Sequence, residues 1–299
     1  GTSLTGCAEM PTTGTPNFDD PIGIAISGTT AYVTNYGGNS VTQCTIAGTS
    51  LTGCAEMPTT GTPNFASPIG IAISGTTAYV TNYGGNSVTQ CTIDGTSLTD
   101  CATMTTTGTP NFNQPRGIAI SGTTVYVTNY GGNSVTQCTI DGTSLTGCAT
   151  TGSNFVGPYG IAISGTTAYV TSPDGNSVTR CTIDGTSLTG CATMPTTGSN
   201  FSYPNGIAIS GTTAYVPNGG SDSVIQCTID GTSLTGCATT GSNFVGPLGI
   251  AVSGTTAYVT NVGDDSVTRC TIDGTSLTGC VNLTGATFYT PIGIAIIGA

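Results

Sequence analysis

One stretch of about 45 residues recurs, with small changes, along the whole chain. Its first copy begins Pro-Ile-Gly-Ile-Ala-Ile-Ser-Gly-Thr-Thr at residue 21, and its Gly-Ile-Ala core returns every 43 to 47 residues. The glycine of that core lies at Gly23, Gly70, Gly117, Gly160, Gly206, Gly249 and Gly293. A fixed period of this length is typical of propellers, solenoids and other repeat arrays. The repeat therefore limits the fold more than any other feature of the sequence.

Each unit contains four short segments with the pattern of β-strands. Gly-Ile-Ala-Ile-Ser is short and apolar, as expected for a strand covered on both faces, and Ala-Tyr-Val-Thr-Asn alternates with a period of two. Ser-Val-Thr-Gln-Cys-Thr-Ile forms a third strand, and Asp-Gly turns the chain into Thr-Ser-Leu-Thr-Gly-Cys. No segment shows a helical period. We therefore predict an all-β chain in which each unit is a four-stranded propeller blade.

The strand count predicts a single repeat domain over residues 1–299, with units beginning near 22, 69, 116, 159, 205 and 248. The inner and outer strand motifs each occur seven times, but the two middle strands occur six times. We predict six complete blades, an extra outer strand at 1–7 and an extra inner strand at 292–297. Joining these two ends would leave a gap of about 10 Å, so we expect that closure to fail. Either the sequence is a slice of a longer repeat chain, or its end strands add to neighbouring subunits and build a filament.

Thirteen cysteines are many for a reducing compartment, and twelve of them form pairs ten residues apart. The pairs are Cys44/Cys54, Cys91/Cys101, Cys138/Cys148, Cys181/Cys191, Cys227/Cys237 and Cys270/Cys280. Each pair brackets a hairpin, so we expect its two cysteines to lie directly opposite each other and predict cross-strand disulfides in an oxidising, extracellular location. Zinc ligation and unpaired buried cysteines are the alternatives. Cys7 has no partner at this spacing and is a candidate for an intermolecular bond.

Aromatic residues occupy fixed places in the repeat. Every phenylalanine lies three residues before the proline of the next unit, at Phe18, Phe65, Phe112, Phe155, Phe201, Phe244 and Phe288. Six tyrosines share one position in the second strand: Tyr32, Tyr79, Tyr126, Tyr169, Tyr215 and Tyr258. One aromatic side chain per unit at a fixed place indicates packing between blades, and a binding role is the alternative. The linkers between the last cysteine and the proline vary in length, and we expect them to cross one rim as exposed loops.

The repeat resembles the YVTN family and is similar to NHL-type propeller repeats. The resemblance is carried by Ala-Tyr-Val-Thr-Asn at 31–35 and 78–82, and by 125–129 with Val125, behind Pro-x-Gly-Ile-Ala. Tyr-Val-Thr-Ser at 169–172 and Tyr-Val-Pro-Asn at 215–218 depart from it. The resemblance implies a β-propeller, commonly on secreted or cell-surface proteins. In such a propeller the Gly-Ile-Ala strand would line the central channel, and the strand with the second cysteine of each pair would be outermost. It does not imply one activity.

The charge composition excludes several classes of function. The chain has three arginines, no lysine, no histidine and a net charge of −11. A basic footprint for nucleic acid is missing, and no apolar run is long enough for membrane insertion. A serine or cysteine nucleophile would lack its usual histidine base. Since the units are also nearly identical, we expect no active site, and hence that the chain is not an enzyme.

Polar residues that differ between the repeat units mark one rim of the propeller as a candidate ligand site. The loop between the second and third strands carries Tyr36, Tyr83 and Tyr130 in the first three units, and Asp174, Asp222, Asp264 and Asp265 in the later ones. Tyrosines stack on sugar rings, and clustered carboxylates bind Ca²⁺; otherwise we expect no cofactor. Solvated loop residues are the ordinary alternative. Asn200 and Asn282 match the N-glycosylation pattern, which also arises by chance in a threonine-rich chain.

These observations favour a non-catalytic structural or adhesive propeller outside the cell, which self-associates and assembles into filaments by end-strand exchange. The alternative is a propeller that binds a small ligand or a glycan on its tyrosine and aspartate rim. The first hypothesis depends on the near-identity of the units, and the second on the residues in which they differ.

Overall fold

The computed structural model describes residues 21–47, 50–57, 59–61, 65–95, 97–109, 112–264, 266–282 and 295–296. Within these ranges the chain forms β-strands and a single turn of 3-10 helix at Gly219–Ser221. The strands form six sheets, each built around four antiparallel strands in sequence order. The predicted all-β propeller of four-stranded blades is therefore confirmed. No helix in the described part is long and apolar enough to cross a membrane.

The strands follow the chain from the innermost to the outer positions of each blade. Blade 1 contains β1 (Pro21–Ser27), β2 (Thr30–Asn35), β3 (Ser40–Ala47) and β4 (Ser50–Glu56). After β5 (Thr59–Gly61), blade 2 contains β6 (Pro68–Ser74), β7 (Thr77–Asn82), β8 (Ser87–Asp94) and β9 (Ser97–Thr103). After β10 (Thr105–Gly108), blade 3 contains β11 (Pro115–Ser121), β12 (Thr124–Asn129), β13 (Ser134–Asp141) and β14 (Ser144–Thr151).

The second half repeats the same order. Blade 4 contains β15 (Ile161–Ser164), β16 (Thr167–Ser172), β17 (Ser177–Asp184) and β18 (Ser187–Thr193). After β19 (Thr196–Gly198), blade 5 contains β20 (Ala208–Ser210), β21 (Thr213–Asn218), β22 (Ser223–Asp230) and β23 (Ser233–Thr240). Blade 6 contains β24 (Pro247–Ser253), β25 (Thr256–Asn261), β26 (Ser266–Asp273) and β27 (Ser276–Asn282), and β28 (Ala295–Ile296) follows.

The hydrophobic core lies between neighbouring blades. Tyr32 of blade 1 packs with Ile71, Val80 and Leu98 of blade 2, and Phe65 from the linker joins the same cluster. Equivalent clusters form at the next four joints. The predicted packing role of the repeated tyrosine and phenylalanine is therefore confirmed for the described residues. Because a blade covers each face, β7 is buried nearly throughout and does not show the expected two-residue alternation of exposure.

Disulfides join the third and fourth strands of every blade, with the predicted partners. The Cα atoms within each of the six described pairs are 4.1 to 4.2 Å apart. Six such bonds fit an oxidising environment. The bonded pairs are Cys44–Cys54, Cys91–Cys101, Cys138–Cys148, Cys181–Cys191, Cys227–Cys237 and Cys270–Cys280.

The second cysteine of each pair corrects the expectation of a symmetric hairpin, because it lies in a β-bulge. In blade 3 the register shifts between Gln137 and Thr139, so that Gly147 and Cys148 together oppose Cys138. Gly147 has a φ of 58°, a conformation that glycine adopts at little cost. The same shift occurs in the other five hairpins. These cysteines therefore do not lie directly opposite their partners in a regular ladder. The cysteines that lie in the bulges are Cys54, Cys101, Cys148, Cys191, Cys237 and Cys280.

The inner strands form a closed ring, which corrects the expectation that closure fails. Along the axis β1, β6, β11, β15, β20 and β24 contact one another in turn, and β28 contacts both β24 and β1. β28 pairs in parallel with β1, joining Ala25 to Ala295 and Ile26 to Ile296. The extra inner strand therefore fills a seventh position by itself, without middle strands beside it in the described residues. The predicted outer strand at 1–7 and Cys7 lie outside the described residues.

Linkers of two lengths explain why the repeat varies between 43 and 47 residues. The longer linkers form β5, β10 and β19, each of which pairs in parallel with the fourth strand of the following blade. The shorter linker before blade 4 uses side chains instead: Leu188 N donates to Thr151 Oγ1 at 2.6 Å, and Asn154 Nδ2 donates to the Cys191 carbonyl at 2.8 Å. The linkers are therefore not simply exposed rim loops, because they satisfy sheet edges that would otherwise be open.

The linker strands also correct the expectation that the strand of the second cysteine is outermost. In blades 2, 3 and 5 the linker strand lies outside it and forms the edge of a five-stranded sheet. The cysteine then pairs with a glycine of the linker, in the pairs Cys101–Gly61, Cys148–Gly108 and Cys237–Gly198. In blades 4 and 6, by contrast, β18 with Cys191 and β27 with Cys280 are the outer edges of four-stranded sheets.

Candidate functional site

The threonine of the Tyr-Val-Thr-Asn segment fixes the start of each inner strand. Thr81 Oγ1 accepts a hydrogen bond from Gly70 N at 2.8 Å and donates to the carbonyl oxygen of Arg116 in the next blade at 2.7 Å. Thr34 and Thr128 make the same pair of bonds in their own blades. A Cβ atom on Gly70 would lie 2.3 Å from the Arg116 carbonyl oxygen. The glycine and the threonine are therefore required by the close approach of successive inner strands.

The residue before that glycine has the same place in every blade, but its side chain differs. We call these residues the mouth ring: Ile22, Ile69, Arg116, Tyr159, Asn205 and Leu248. They lie where the inner strands begin, on the same rim as the loops between the second and third strands, since Pro115 pairs with Asn129 at this end. Sequence reasoning missed this position. The signal was the variable x in Pro-x-Gly-Ile-Ala, which breaks an otherwise regular repeat.

Arg116 is surrounded by tyrosine rings from three consecutive blades. Its guanidinium carbon lies 4.2 Å from the ring centre of Tyr130, 4.6 Å from Tyr159 and 5.3 Å from Tyr83. All three distances are within the range of a cation–π interaction. Tyr36 extends the group, since its ring centre is 6.2 Å from that of Tyr83. Two of the predicted rim tyrosines, Tyr83 and Tyr130, thus contact an arginine that the sequence did not single out, and Tyr36 lies beside one of them.

Two buried polar atoms of this cluster have no partner. Arg116 Nε and Tyr159 Oη form no hydrogen bond within the described residues, and Arg116 has no ion pair with any described acidic side chain. Tyr159 is only 7% exposed. Burial raises the pKa of the Tyr159 hydroxyl, and the nearby Arg116 guanidinium opposes part of that shift. Buried polar atoms are normally hydrogen-bonded in proteins; the Tyr159 hydroxyl lies close enough to the Arg116 guanidinium for that group to lower its pKa, although the two do not form a hydrogen bond of ordinary geometry.

Tyr130 connects the cluster to an exposed carboxylate. Its hydroxyl makes a long 3.5 Å contact with Asp174 Oδ1. A hydrogen bond with Tyr203, burial and the nearby Asp174 charge together raise the pKa of Tyr130 to about 12. The hydroxyl therefore stays protonated and can donate near neutral pH. The structure brings the predicted Asp174 together with the tyrosines, and adds Tyr159 and Tyr203 to them.

The other predicted rim acids have structural partners. Asp222 Oδ1 accepts from Gly246 N at 2.6 Å, the same bond that Asn39 makes to Ser67 N at 2.7 Å. Asp264 accepts from Ser266 Oγ at 2.7 Å. Asp265 lies outside the described residues. Among the described residues no group of three potential metal ligands comes together, so the proposed Ca²⁺ ion has no support here.

The two glycosylation candidates differ in their surroundings. Asn200 is exposed on the linker before blade 5. Asn282 is half-buried; its Nδ2 donates to Asp264 Oδ2 at 3.3 Å and its Oδ1 accepts from Thr268 Oγ1 at 2.7 Å. A glycan is attached at Nδ2, the atom through which Asn282 contacts Asp264, so we expect Asn200 to be the better acceptor.

Comparison with known sequences finds one family. Residues 18–164 match the family described as lactonase, 7-bladed beta-propeller, which is just under half of the chain. No curated protein sequence matches. The matched segment contains Tyr36, Tyr83, Arg116, Tyr130 and Tyr159. A β-propeller family is thereby supported, while the assignment to YVTN or NHL repeats remains a resemblance.

Solved structures agree on the fold. A chain of a nidogen/laminin complex superposes with a TM-score of 0.66 at 15% identity, covering 86% of this chain and 94% of that one. A protein from Bacteroides uniformis described as a 6-phosphogluconolactonase gives 0.64 at 13% identity, covering 89% and 84%. A protein of the same description from Bacteroides fragilis gives 0.64 at 16% identity, covering 89% and 83%. At such identities the likeness shows the propeller fold alone.

The lactonase match contradicts the expectation that the chain is not an enzyme. That expectation rested on the absence of a histidine base and on the near-identity of the units, which left no place where different residues converge. The mouth ring is such a place, because Arg116, Tyr159 and Asn205 occupy one repeat position with three different side chains. The family match therefore points to hydrolase activity, through a distant relationship to that family.

Proposed function

We propose that this propeller binds a hydroxylated ring with a polarised or anionic oxygen, namely a sugar lactone or its acid, at Arg116, and hydrolyses the lactone there. The observation that carries the proposal is an arginine packed among three tyrosine rings without an acidic partner among the described residues, in a chain of net charge −11. A half-buried cation of this kind attracts an anion more strongly than an exposed one does.

The tyrosines supply the remaining recognition. Their faces offer flat apolar surface to a sugar ring, and their hydroxyls offer donors and acceptors. The Arg116 guanidinium lies against the Tyr159 ring at 4.6 Å, and we propose that its remaining N–H groups donate to oxygen atoms of the ligand. A mostly aromatic lining with a few polar groups is typical of the sites at which proteins bind small molecules.

Hydrolysis requires one base and one oxyanion-stabilising group. In the proposed reaction a water oxygen adds to the lactone carbonyl carbon while Asp174 takes a proton from the water. The Arg116 guanidinium stabilises the resulting oxyanion. The ring C–O bond then breaks, the departing oxygen takes the proton back from Asp174, and the hydroxy acid releases its own proton to solvent. The carboxylate product would remain paired with Arg116 until it leaves.

Arg116→Ile provides the sharpest test, because Ile22 and Ile69 already occupy the same position in blades 1 and 2. Release of protons from D-glucono-1,5-lactone, corrected for spontaneous hydrolysis, would measure the reaction, and calorimetry with methyl β-D-glucuronide would measure binding. We expect Arg116→Ile to abolish binding and Asp174→Asn to remove hydrolysis while keeping binding. Arg180→Gln, which copies Gln90 at its own repeat position, is the control. Equal binding by wild type and Arg116→Ile would refute the site.

A second candidate function is a secreted structural or adhesive propeller that self-associates. Six disulfides and the likeness to a chain of a nidogen/laminin complex support it. Assembly by exchange of the C-terminal strand would require β28 to leave β1, with which it pairs in the same chain. Electron microscopy and native mass spectrometry test this candidate: isolated monomeric discs at micromolar concentration would argue against it.

A further inference from the structure

Exposed apolar side chains concentrate on one arc of the rim that carries the mouth ring. Four large hydrophobic residues are notably exposed among those the structure describes, and three of them are Val156 at 48%, Tyr203 at 44% and Val245 at 40%. All three lie in the two-residue segment between the buried phenylalanine and the proline that precedes the inner strand. The same segment reads Ala-Ser before blade 2 and Asn-Gln before blade 3. We call Val156, Tyr203 and Val245 the apolar arc. Its residues precede blades 4, 5 and 6, whereas the tyrosine cluster belongs to blades 1 to 4.

Two members of the arc are continuous with the tyrosine cluster. Tyr203 N donates a hydrogen bond to Asn176 Oδ1 at 2.7 Å, in the same loop as Asp174, and Asp174 contacts the hydroxyl of Tyr130, whose ring lies against Arg116. Val156 precedes Gly157, and a Cβ atom on that glycine would lie 2.3 Å from Asp174 Oδ2 and 3.1 Å from Tyr130 Cε2. The valine is thus adjacent to the Tyr130–Asp174 contact. The third member of the arc belongs to the joint between blades 5 and 6, farther around the ring.

The backbone at Tyr203 is unfavourable for a tyrosine. Its φ is 54°, and the equivalent residues are also left-handed, with Gly157 and Gly246 both at 57°. A bulky residue in this region costs free energy that glycine does not. The Tyr203 side chain nevertheless keeps 44% of its surface exposed to solvent. Ser67 and Gln114 hold the same position at φ 50° and 52°, so the conformation belongs to the repeat, whereas the exposed tyrosine belongs to this blade alone.

From this juxtaposition we infer that the ligand of Arg116 carries an apolar substituent that lies over Val156 and Tyr203. The inference rests on the proposed function and specifies its substrate class as an amphipathic one: an anionic or lactone head with an alkyl or aryl group. Two side chains are too small a surface for a protein partner, which needs about 800 Å² per side. They offer enough apolar surface to cover part of a medium-length alkyl chain.

Methyl and octyl β-D-glucuronide test the inference, because they share one anionic ring and differ only in the apolar group. We expect the octyl compound, below its critical micelle concentration, to bind wild type about tenfold more tightly, from roughly 50 Å² of apolar surface buried. Val156→Asn and Tyr203→Gln copy Asn113 and Gln114 at the same positions of blade 3. In each variant the octyl-to-methyl ratio should fall towards one, and in Val156→Asn the binding of methyl glucuronide itself should be unchanged. Val245→Asn, a matched exposed valine away from the site, should keep the tenfold ratio.

The outcomes separate the two proposals. Binding of methyl glucuronide by wild type but not by Arg116→Ile, with an octyl-to-methyl ratio near one, overturns the apolar subsite and leaves the proposed function standing. A ratio that falls equally in Val245→Asn also overturns it, since the preference would then be general hydrophobic adsorption. Absence of binding by either compound removes the head site, and the inference with it. Thermal unfolding of each variant confirms that a changed ratio does not come from lost folding.

Discussion

Thr81 Oγ1 donates a hydrogen bond to the main-chain carbonyl of Arg116 at 2.7 Å, so a buried threonine of blade 2 holds the residue at the centre of the candidate site in blade 3. The same oxygen accepts from Gly70 N at 2.8 Å. Scaffold and site are therefore coupled: the repeat fixes the main chain of the mouth ring, and its side chains are free to differ.

We predict that Thr81→Val lowers the free energy of unfolding by about 2–3 kcal/mol, because the change leaves the Gly70 amide and the Arg116 carbonyl without this buried partner. Chemical denaturation measures the effect. Thr106→Val, on an exposed position of β10, is the control and should be nearly neutral. Equal stability of the two variants would show that the bridge contributes nothing.

Gly70→Ala should destabilise the chain by about 1–3 kcal/mol, because the added Cβ atom would lie 2.3 Å from the main-chain oxygen of Arg116 and the strands would have to separate. Gly75→Asn is a matched control at φ 58°, where nothing lies within 4 Å and asparagine tolerates the conformation. Thermal unfolding compares them. A Gly70→Ala variant as stable as Gly75→Asn would contradict the role assigned to the close approach.

Stability should fall at alkaline pH partly through Tyr130. The folded state raises the pKa of this hydroxyl from 10.0 to about 12, so the folded chain keeps a proton that the unfolded chain loses above its pKa of 10.0. The contribution is therefore fully present below that pKa and is lost as the pH rises through the folded pKa of about 12. Urea midpoints measured across this alkaline window should fall less steeply for Tyr130→Phe than for wild type. Parallel curves would count against the Tyr203 and Asp174 contacts of Tyr130.

A glycosylating secretory host should modify Asn200 and leave Asn282 free. Asn200 is exposed, whereas both polar atoms of Asn282 are hydrogen-bonded, to Asp264 and Thr268. Enzymatic deglycosylation followed by peptide mass spectrometry detects the modified asparagine, and Asn200→Gln should remove the mass shift. A glycan found on Asn282 would contradict this assignment.

The four-stranded blade could be predicted from the sequence because the same strand pattern occurs in six repeat units. The disulfide partners, the tyrosine and phenylalanine joints and the order of the four strands all follow from local spacing. The bulge that places Cys148 beside Gly147 was not foreseen, because a ten-residue spacing fits a symmetric hairpin equally well. The linker strands were missed for a similar reason: Thr-Thr-Gly has no strong strand propensity, and it pairs only because the next blade offers an open edge.

The candidate site was predicted in part. Tyr36, Tyr83, Tyr130 and Asp174 were selected because they differ between units, but nothing in the sequence indicated that three tyrosines meet at an arginine. The remaining rim acids were selected by the same criterion, and Asp222 and Asp264 make structural hydrogen bonds instead. Difference between units marks a position as special without indicating what it contacts.

The sequence by itself determined the blade, its disulfide partners and the packing between successive blades, because these depend on residues close together in the repeat. The tertiary structure decided the two features that depend on the ring as a whole. One is closure, in which β28 joins β1 across the full length of the chain. The other is the convergence of side chains from blades 2, 3 and 4 on Arg116, since only the curvature of the ring directs equivalent positions towards one axis.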